Sequence, residues 1–191
     1  MNVEDEICLF VRLTPFSLGI LSEMPDYELM VQGDLNTTSS NGLRVTNRVR
    51  MTQRGEEKPV FTTATKFRLP RKEGSVSTKA PQVEFEISQQ DFNTVMGACE
   101  SRYVKRRYSI KLPSGVVVEV DRYMENDYEF SKFAKIDIEK ADEALIDIYI
   151  SELKDKGIHF AEIINTPGVE SPAIKKALDE LMSQTWNLAK K

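Results

Sequence analysis

The sequence predicts an α+β protein built around an antiparallel sheet. Three observations carry this. Seven segments (26–32, 43–51, 60–68, 83–87, 104–110, 116–121 and 134–139) alternate apolar and charged residues at every second position. A strand sends successive side chains to opposite faces, so period-two alternation marks a strand with one apolar face. Turn-rich stretches separate several of these segments, among them GDLNTTSSNG (33–42) and Pro113-Ser114-Gly115, as hairpin connections require. Helical spacing of apolar residues is confined to about 89–99, 140–155 and 171–189.

The elements follow in order. EICLFVRL (6–13) reads as a strand ending at Thr14-Pro15, and 14–25 reads as irregular, with Pro15, Gly19 and Pro25 as breakers. In 26–32, Asp26, Glu28, Met30 and Gln32 oppose Tyr27, Leu29 and Val31. The polar stretch 33–42 reads as a loop. In 43–51, Arg44, Thr46, Arg48 and Arg50 oppose Leu43, Val45, Val49 and Met51. Lys66 and Arg68 lie opposite Phe61 and Phe67, and 69–81, with two prolines and a glycine, reads as a mobile loop. Glu84 and Glu86 oppose Val83, Phe85 and Ile87. Ser88, with Asp91 three residues on, caps a helix that buries Phe92, Val95, Met96 and Cys99. Lys105 and Arg107 oppose Val104, Tyr108 and Ile110, with Arg106 out of pattern. Glu119 and Asp121 oppose Val116, Val118 and Val120, and Lys135, Asp137 and Glu139 oppose Ala134, Ile136 and Ile138. The helix over 140–155 turns Ala141, Leu145, Ile148, Tyr149 and Leu153 inward, although IDIYI also suits a strand. Ser171-Pro172 opens a C-terminal helix over 171–189.

The 191 residues suit one domain, 1–191, with 40% apolar and 29% charged residues. A net charge of -4 argues against duplex DNA as a partner. Cys8 and Cys99 have no metal-type spacing and read as buried, reduced thiols. The acidic N-terminus is unlike a signal peptide, and no apolar stretch approaches the roughly 20 residues that span a bilayer. The expectation is a cytoplasmic protein without membrane contact, monomeric or homodimeric. The single histidine, His159, leaves no room for a histidine-rich metal site and reads as packing or surface. Trp186 reads as an anchor on the last helix. No phosphate-binding glycine loop is present.

A charged strand face is commonly a solvated surface. Here, however, its basic pairs sort onto 44–50, 66–68 and 105–107, and its acidic pairs onto 84–86 and 119–121. Glu84 and Glu86 stand about 7 Å apart, and like charges so placed repel unless a counter-charge or metal intervenes. Closing the sheet would gather these groups inside, with helices covering the apolar exterior, and an eight-stranded barrel has room for one small ligand.

The stretches RVTNRVR (44–50), TATKF (63–67), VEFEI (83–87), VKRRY (104–108), VEVDRY (118–123) and AKIDIE (134–139), in this order, resemble the strands of the CYTH superfamily of triphosphate tunnel metalloenzymes. The resemblance covers roughly residues 26–140 and leaves 1–25 unmatched. It implies a closed or nearly closed antiparallel barrel of about eight strands with a charged lumen and helices outside. It implies hydrolysis of a triphosphate (inorganic, on a nucleoside or thiamine, or on an RNA 5′ end) with Mg2+ or Mn2+. On this resemblance Arg44, Arg48, Arg50, Lys66, Arg68, Lys105 and Arg107 bind phosphate. Glu28, Glu84, Glu86, Asp137 and Glu139 hold metal, Glu28, Lys66 and Glu86 are catalytic, and Asp26, Glu119, Asp121 and Lys135 complete the lumen. The family's Glu-x-Glu-x-Lys hallmark is reduced to Asp26-Tyr27-Glu28-Leu29-Met30, with Met30 at the lysine position, and Glu4 and Glu6 form an alternative pair without a lysine. That departure motivates an alternative, a nucleotide- or polyphosphate-binding protein of the same fold without turnover. Nucleotide cyclisation is a further alternative. If the face holds ligand, truncating Arg50 or Lys105 should leave the melting temperature unchanged or raised.

Overall fold

A computed structural model describes residues 2–40, 43–68, 77–124 and 130–163. Among them nine strands form one antiparallel sheet: β1 (Asn2–Leu13), β2 (Glu28–Ser40), β3 (Leu43–Arg54), β4 (Val60–Arg68), β5 (Ser77–Glu86), β6 (Ser101–Lys111), β7 (Val117–Met124), β8 (Phe130–Glu139) and β9 (Phe160–Ile163). Three α-helices accompany it: α1 (Pro15–Glu23), α2 (Gln89–Ala98) and α3 (Ile146–Asp155). The α+β class read from the alternation therefore holds. The order across the sheet is β5-β4-β3-β2-β6-β7-β8-β1-β9. In addition, β1 pairs with β5 from Asn2↔Gln82 to Ile7↔Ser77, while its Glu6–Arg12 stretch pairs with β8. The first strand of the chain thus joins strands from both ends of the order.

The apolar face divides into two cores. Ile7, Leu9 and Val11 of β1, Tyr108 and Ile110 of β6, Val118 and Val120 of β7, and Ile136 and Ile138 of β8 pack with Leu21 of α1 and Tyr149 and Leu153 of α3. Val49, with Val31, Met51 and Phe61 at its edge, packs with Phe92, Met96 and Cys99 at α2. Burial of each large side chain contributes about 1.5–3 kcal/mol. The close seat of α2 depends on Gly33, where a Cβ would meet Cys99 Sγ and Met96 Sδ, each at 2.6 Å. Helix α2 starts as the sequence requires, with the Ser88 hydroxyl accepting from Asp91 N. The Pro113-Ser114-Gly115 turn joins β6 to β7, and Gly115 supplies its positive φ of 86°.

Several expectations are corrected. Residues 15–23, read as irregular, form α1: Thr14 caps it by accepting from Ser17 N, and Pro15 occupies the first turn, where its missing N–H costs nothing. Residues 33–40, read as loop, continue β2 and pair with β3 from Thr37↔Thr46 to Ser40↔Leu43. Residues 77–81, read as mobile, belong to β5 and pair with β1; 69–76 lie outside the described residues. The IDIYI run is helical, after a 3₁₀ turn at Glu143–Leu145. Leu145 and Ile148, read as inward, are 41% and 50% exposed. The short β9 on the edge of β1 was not read at all. The helix expected over 171–189, with Trp186, lies outside the described residues. Cys8 and Cys99 are buried free thiols, as read. His159 packs edge-on against Phe16 at 5.7 Å. No helix among the described residues is long and apolar enough to cross a membrane.

Candidate functional site

The charged face is built by register. Residues directly opposite on paired antiparallel strands share a face. Gln32 of β2 thus stands opposite Arg50 of β3 and Tyr103 of β6. Arg107 of β6 stands opposite Glu28 and Asp121, and Lys105 opposite Met30 and Tyr123. Glu119 lies opposite Asp137, and Asp121 opposite Lys135. On β1, Cys8 lies opposite Asp137 and Glu6 opposite Glu139. Lys66 lies between Thr46 and Gln82, and Ala64 between Arg48 and Glu84. Arg44 and Arg68 are opposite one another at the end of the β3–β4 pair.

Two clusters of cations emerge, held in different ways. The first is carboxylate-held. Asp121, fully buried, accepts from Lys105 Nζ, from Arg107 Nε at 2.7 Å and from Arg107 Nη2 at 2.8 Å. Arg107 Nη1 also reaches Glu119 Oε2 at 2.5 Å. Lys135 Nζ pairs with Asp137. Burial alone would raise the Asp121 carboxyl, but Lys105 and Arg107 outweigh it and hold it well below the carboxylate range. Burial pushes the Lys105 ammonium down to about 7, against the pull of Asp121 and with help from Arg107, Arg50 and Lys135. Glu119 is raised to about 7 by burial and by Asp121, Glu139 and Asp137, although Arg107 opposes the shift.

The second cluster is amide-held. Arg50 donates through Nε and Nη2, both at 3.2 Å, to Oε1 of Gln32. Arg48 donates through Nη2 to Oε1 of Gln82 at 3.1 Å. Burial first, and then Arg48 and Arg107, lower the Arg50 guanidinium to about 10. Gln32 is itself fixed: its Nε2 donates to Asp34 Oδ1 at 2.9 Å and to the Tyr103 hydroxyl.

The side chain of Arg68 lies outside those described, and the other expected site residues fall into three groups. Arg48, Arg50, Lys105, Arg107, Glu119, Asp121, Lys135 and Asp137 join the two clusters just described, and Lys66 is buried on the same face. Arg44, Glu84, Glu86 and Glu139 are exposed at the ends of their strands. Glu28 and Asp26 are drawn instead to Arg54, at 2.8 Å and 3.8 Å. Met30 is buried, while the hallmark-like alternation Glu4, Glu6, Cys8 runs along β1, which adjoins both β5 and β8. Sequence reading missed Cys8, Gln82, Tyr103, Tyr123 and Asp34 as neighbours of the charged residues. Strict parity along each strand was the signal that would have found all five.

The carboxylates of the acidic side offer oxygen donors, which suit a hard divalent ion. Asp137 Oδ1 is a buried acceptor without a hydrogen-bond partner, and Glu119 lies opposite it. Among the described residues, no three such ligands stand close enough to form a cage. Of the expected ligands, Glu28 comes from β2, Glu84 and Glu86 from β5, and Asp137 and Glu139 from β8.

No family profile matches the sequence, and no curated protein is similar to it in sequence. Solved structures are similar in fold. HpAC1 from Hippeastrum, a candidate adenylyl cyclase described as having a dominant triphosphatase activity, superposes with a TM-score of 0.55 at 17% identity, over 92% of this chain and 96% of that one. Two structures of NE1496, one described as a hypothetical protein and one as an inorganic triphosphatase, give TM-scores of 0.48 and 0.47 at 20% identity. They cover 93% and 94% of this chain, and 97% and 96% of theirs. The likeness to HpAC1 shows a shared fold, in keeping with the resemblance to triphosphate tunnel proteins read from the sequence.

Proposed function

We propose that this protein hydrolyses a triphosphate, with Mg2+ or Mn2+, on the charged face of its sheet. One observation carries the reading: Arg48, Arg50, Lys105 and Arg107, from two strands that flank β2, share one face with Asp121, Glu119 and Asp137. Arginine's planar fork suits phosphate oxygens, and phosphoryl transfer needs chiefly positioning and charge neutralisation. The described dominant triphosphatase activity of HpAC1 supports the same reading. The pairing of β1 with both β5 and β8 supports a closed barrel with this face inside. Lys66, on the same face, completes the phosphate contacts. A metal at Asp137 would neutralise charge developing on the phosphoryl oxygens. The substrate is a triphosphate-bearing small molecule or RNA 5′ end, and the buried free thiols agree with a cytoplasmic setting.

Binding without turnover is the second reading. It is favoured by Cys8 and Met30, which stand where either version of the hallmark would carry lysine. Incubation with inorganic triphosphate, ATP, thiamine triphosphate and 5′-triphosphate RNA, each with Mg2+ or Mn2+, separates the two. Phosphate release from any of them is the expected result. Tight binding without product establishes the second reading, and neither binding nor release in a folded sample overturns both.

A further inference from the structure

We propose that Gln32 is a positioning residue that fixes Arg50 for an anion while leaving its charge uncancelled. The inference rests on the proposed triphosphate site and adds a residue to it. Gln32 is 3% exposed and lies between Arg50 and Tyr103 across two strand pairs. Its amide has one orientation that satisfies all its neighbours. The NH2 end must face the Asp34 carboxylate, which only accepts, so Oε1 must face Arg50, which only donates. Tyr103 pins the NH2 end from β6, and its hydroxyl also reaches Asp34 Oδ2 at 3.4 Å. The acceptor that reaches Arg50 is thus locked from behind by two groups on two strands.

A carboxylate at position 32 would hold Arg50 more strongly but would also cancel its charge. That is the arrangement on β6, where Asp121 engages Lys105 and Arg107. An amide oxygen orients the guanidinium and leaves a full positive charge. The depressed Arg50, buried beside Arg48 and Arg107, agrees with a cation that its surroundings do not neutralise. Arg48, held by the Gln82 amide, repeats the device across the sheet.

The test is a double-mutant cycle on inorganic triphosphate affinity, measured by calorimetry with Gln32→Met, Arg50→Ala and the double variant. Gln32→Met should weaken binding about tenfold, the scale of a hydrogen bond to a charged group. In the Arg50→Ala background it should change nothing, because residues acting as one unit are not additive. An equal loss in both backgrounds overturns the positioning role. If Arg50→Ala alone leaves affinity untouched, the proposed site itself is wrong, so the two failures are distinct. Tyr103→Phe, which loosens Gln32 without removing it, serves in the same cycle should Gln32→Met not fold. It should weaken binding in the wild-type background only, and an equal loss in both again overturns the proposal.

Discussion

The cations of β6 and those of β3 face the same space, yet they are held by opposite chemistry. Lys105 and Arg107 lean on the buried carboxylate of Asp121, with Glu119 taking the far side of Arg107. Arg50 and Arg48 lean on the amide oxygens of Gln32 and Gln82. The first arrangement offsets the cost of burying charge within the protein. The second leaves charge for a ligand to neutralise. On the proposed reading these charged groups divide the work: β6 with β7 chiefly stabilises the fold, and β3 supplies most of the attraction for the anion.

The largest effect should come from breaking the carboxylate-held cluster. Asp121→Ala strands two buried cations, and removing one partner of such a network costs about 3–5 kcal/mol. Thermal or denaturant unfolding should show this loss, and unchanged stability would contradict the division. Lys105→Ala comes next. The sequence left two outcomes open: neutral or stabilising if the face holds only ligand, and destabilising if Lys105 is salt-bridged to a carboxylate. The pairing with Asp121 favours the second, and a loss of about 1–3 kcal/mol is expected, as for a buried partner left short of a bond. Arg50→Ala should instead leave stability unchanged or raised, since it removes a charge disfavoured first by burial and then by repulsion from Arg48 and Arg107.

Acidity sharpens the same comparison. Folding lowers Lys105 from 10.5 to about 7, so between those values the unfolded chain keeps a proton that the folded one sheds. Stability from this group therefore rises with pH across that window. Affinity for triphosphate should move the other way, falling as the ammonium is lost. Lys105→Met should flatten both trends, which paired melting and binding titrations from pH 6 to about 10 would check. The smallest effect belongs to the periphery. Glu28→Gln breaks a partly exposed pair with Arg54, and such pairs contribute about 0–1 kcal/mol. Its hydrolysis rate should stay close to that of the wild type.

Most of the sheet was legible because alternation survives in each strand core: Val49 and Ile136 are buried on one face while Arg50 and Asp137 share the other. What failed was punctuation. Pro15 breaks a strand and starts a helix with the same fixed φ, and only the Thr14 cap tells the two apart. NTTSS carries no hydrophobic period, so its pairing with β3 comes from the backbone ladder, which a sequence does not display. The four-residue β9 is too short to establish any period. In the site, charged residues drew attention, and the neutral ones that orient them, Gln32 and Gln82, did not stand out. Their role depends on which strand lies beside which, as does the placing of Glu6 and Cys8 against Glu139 and Asp137.

Thermal unfolding of Arg50→Ala, with and without inorganic triphosphate, tests the division of labour most directly. The expected result is a melting temperature equal to or above that of the wild type without ligand, together with loss of most of the ligand-induced rise. A melting temperature several degrees lower without ligand, with the ligand-induced rise intact, would contradict it.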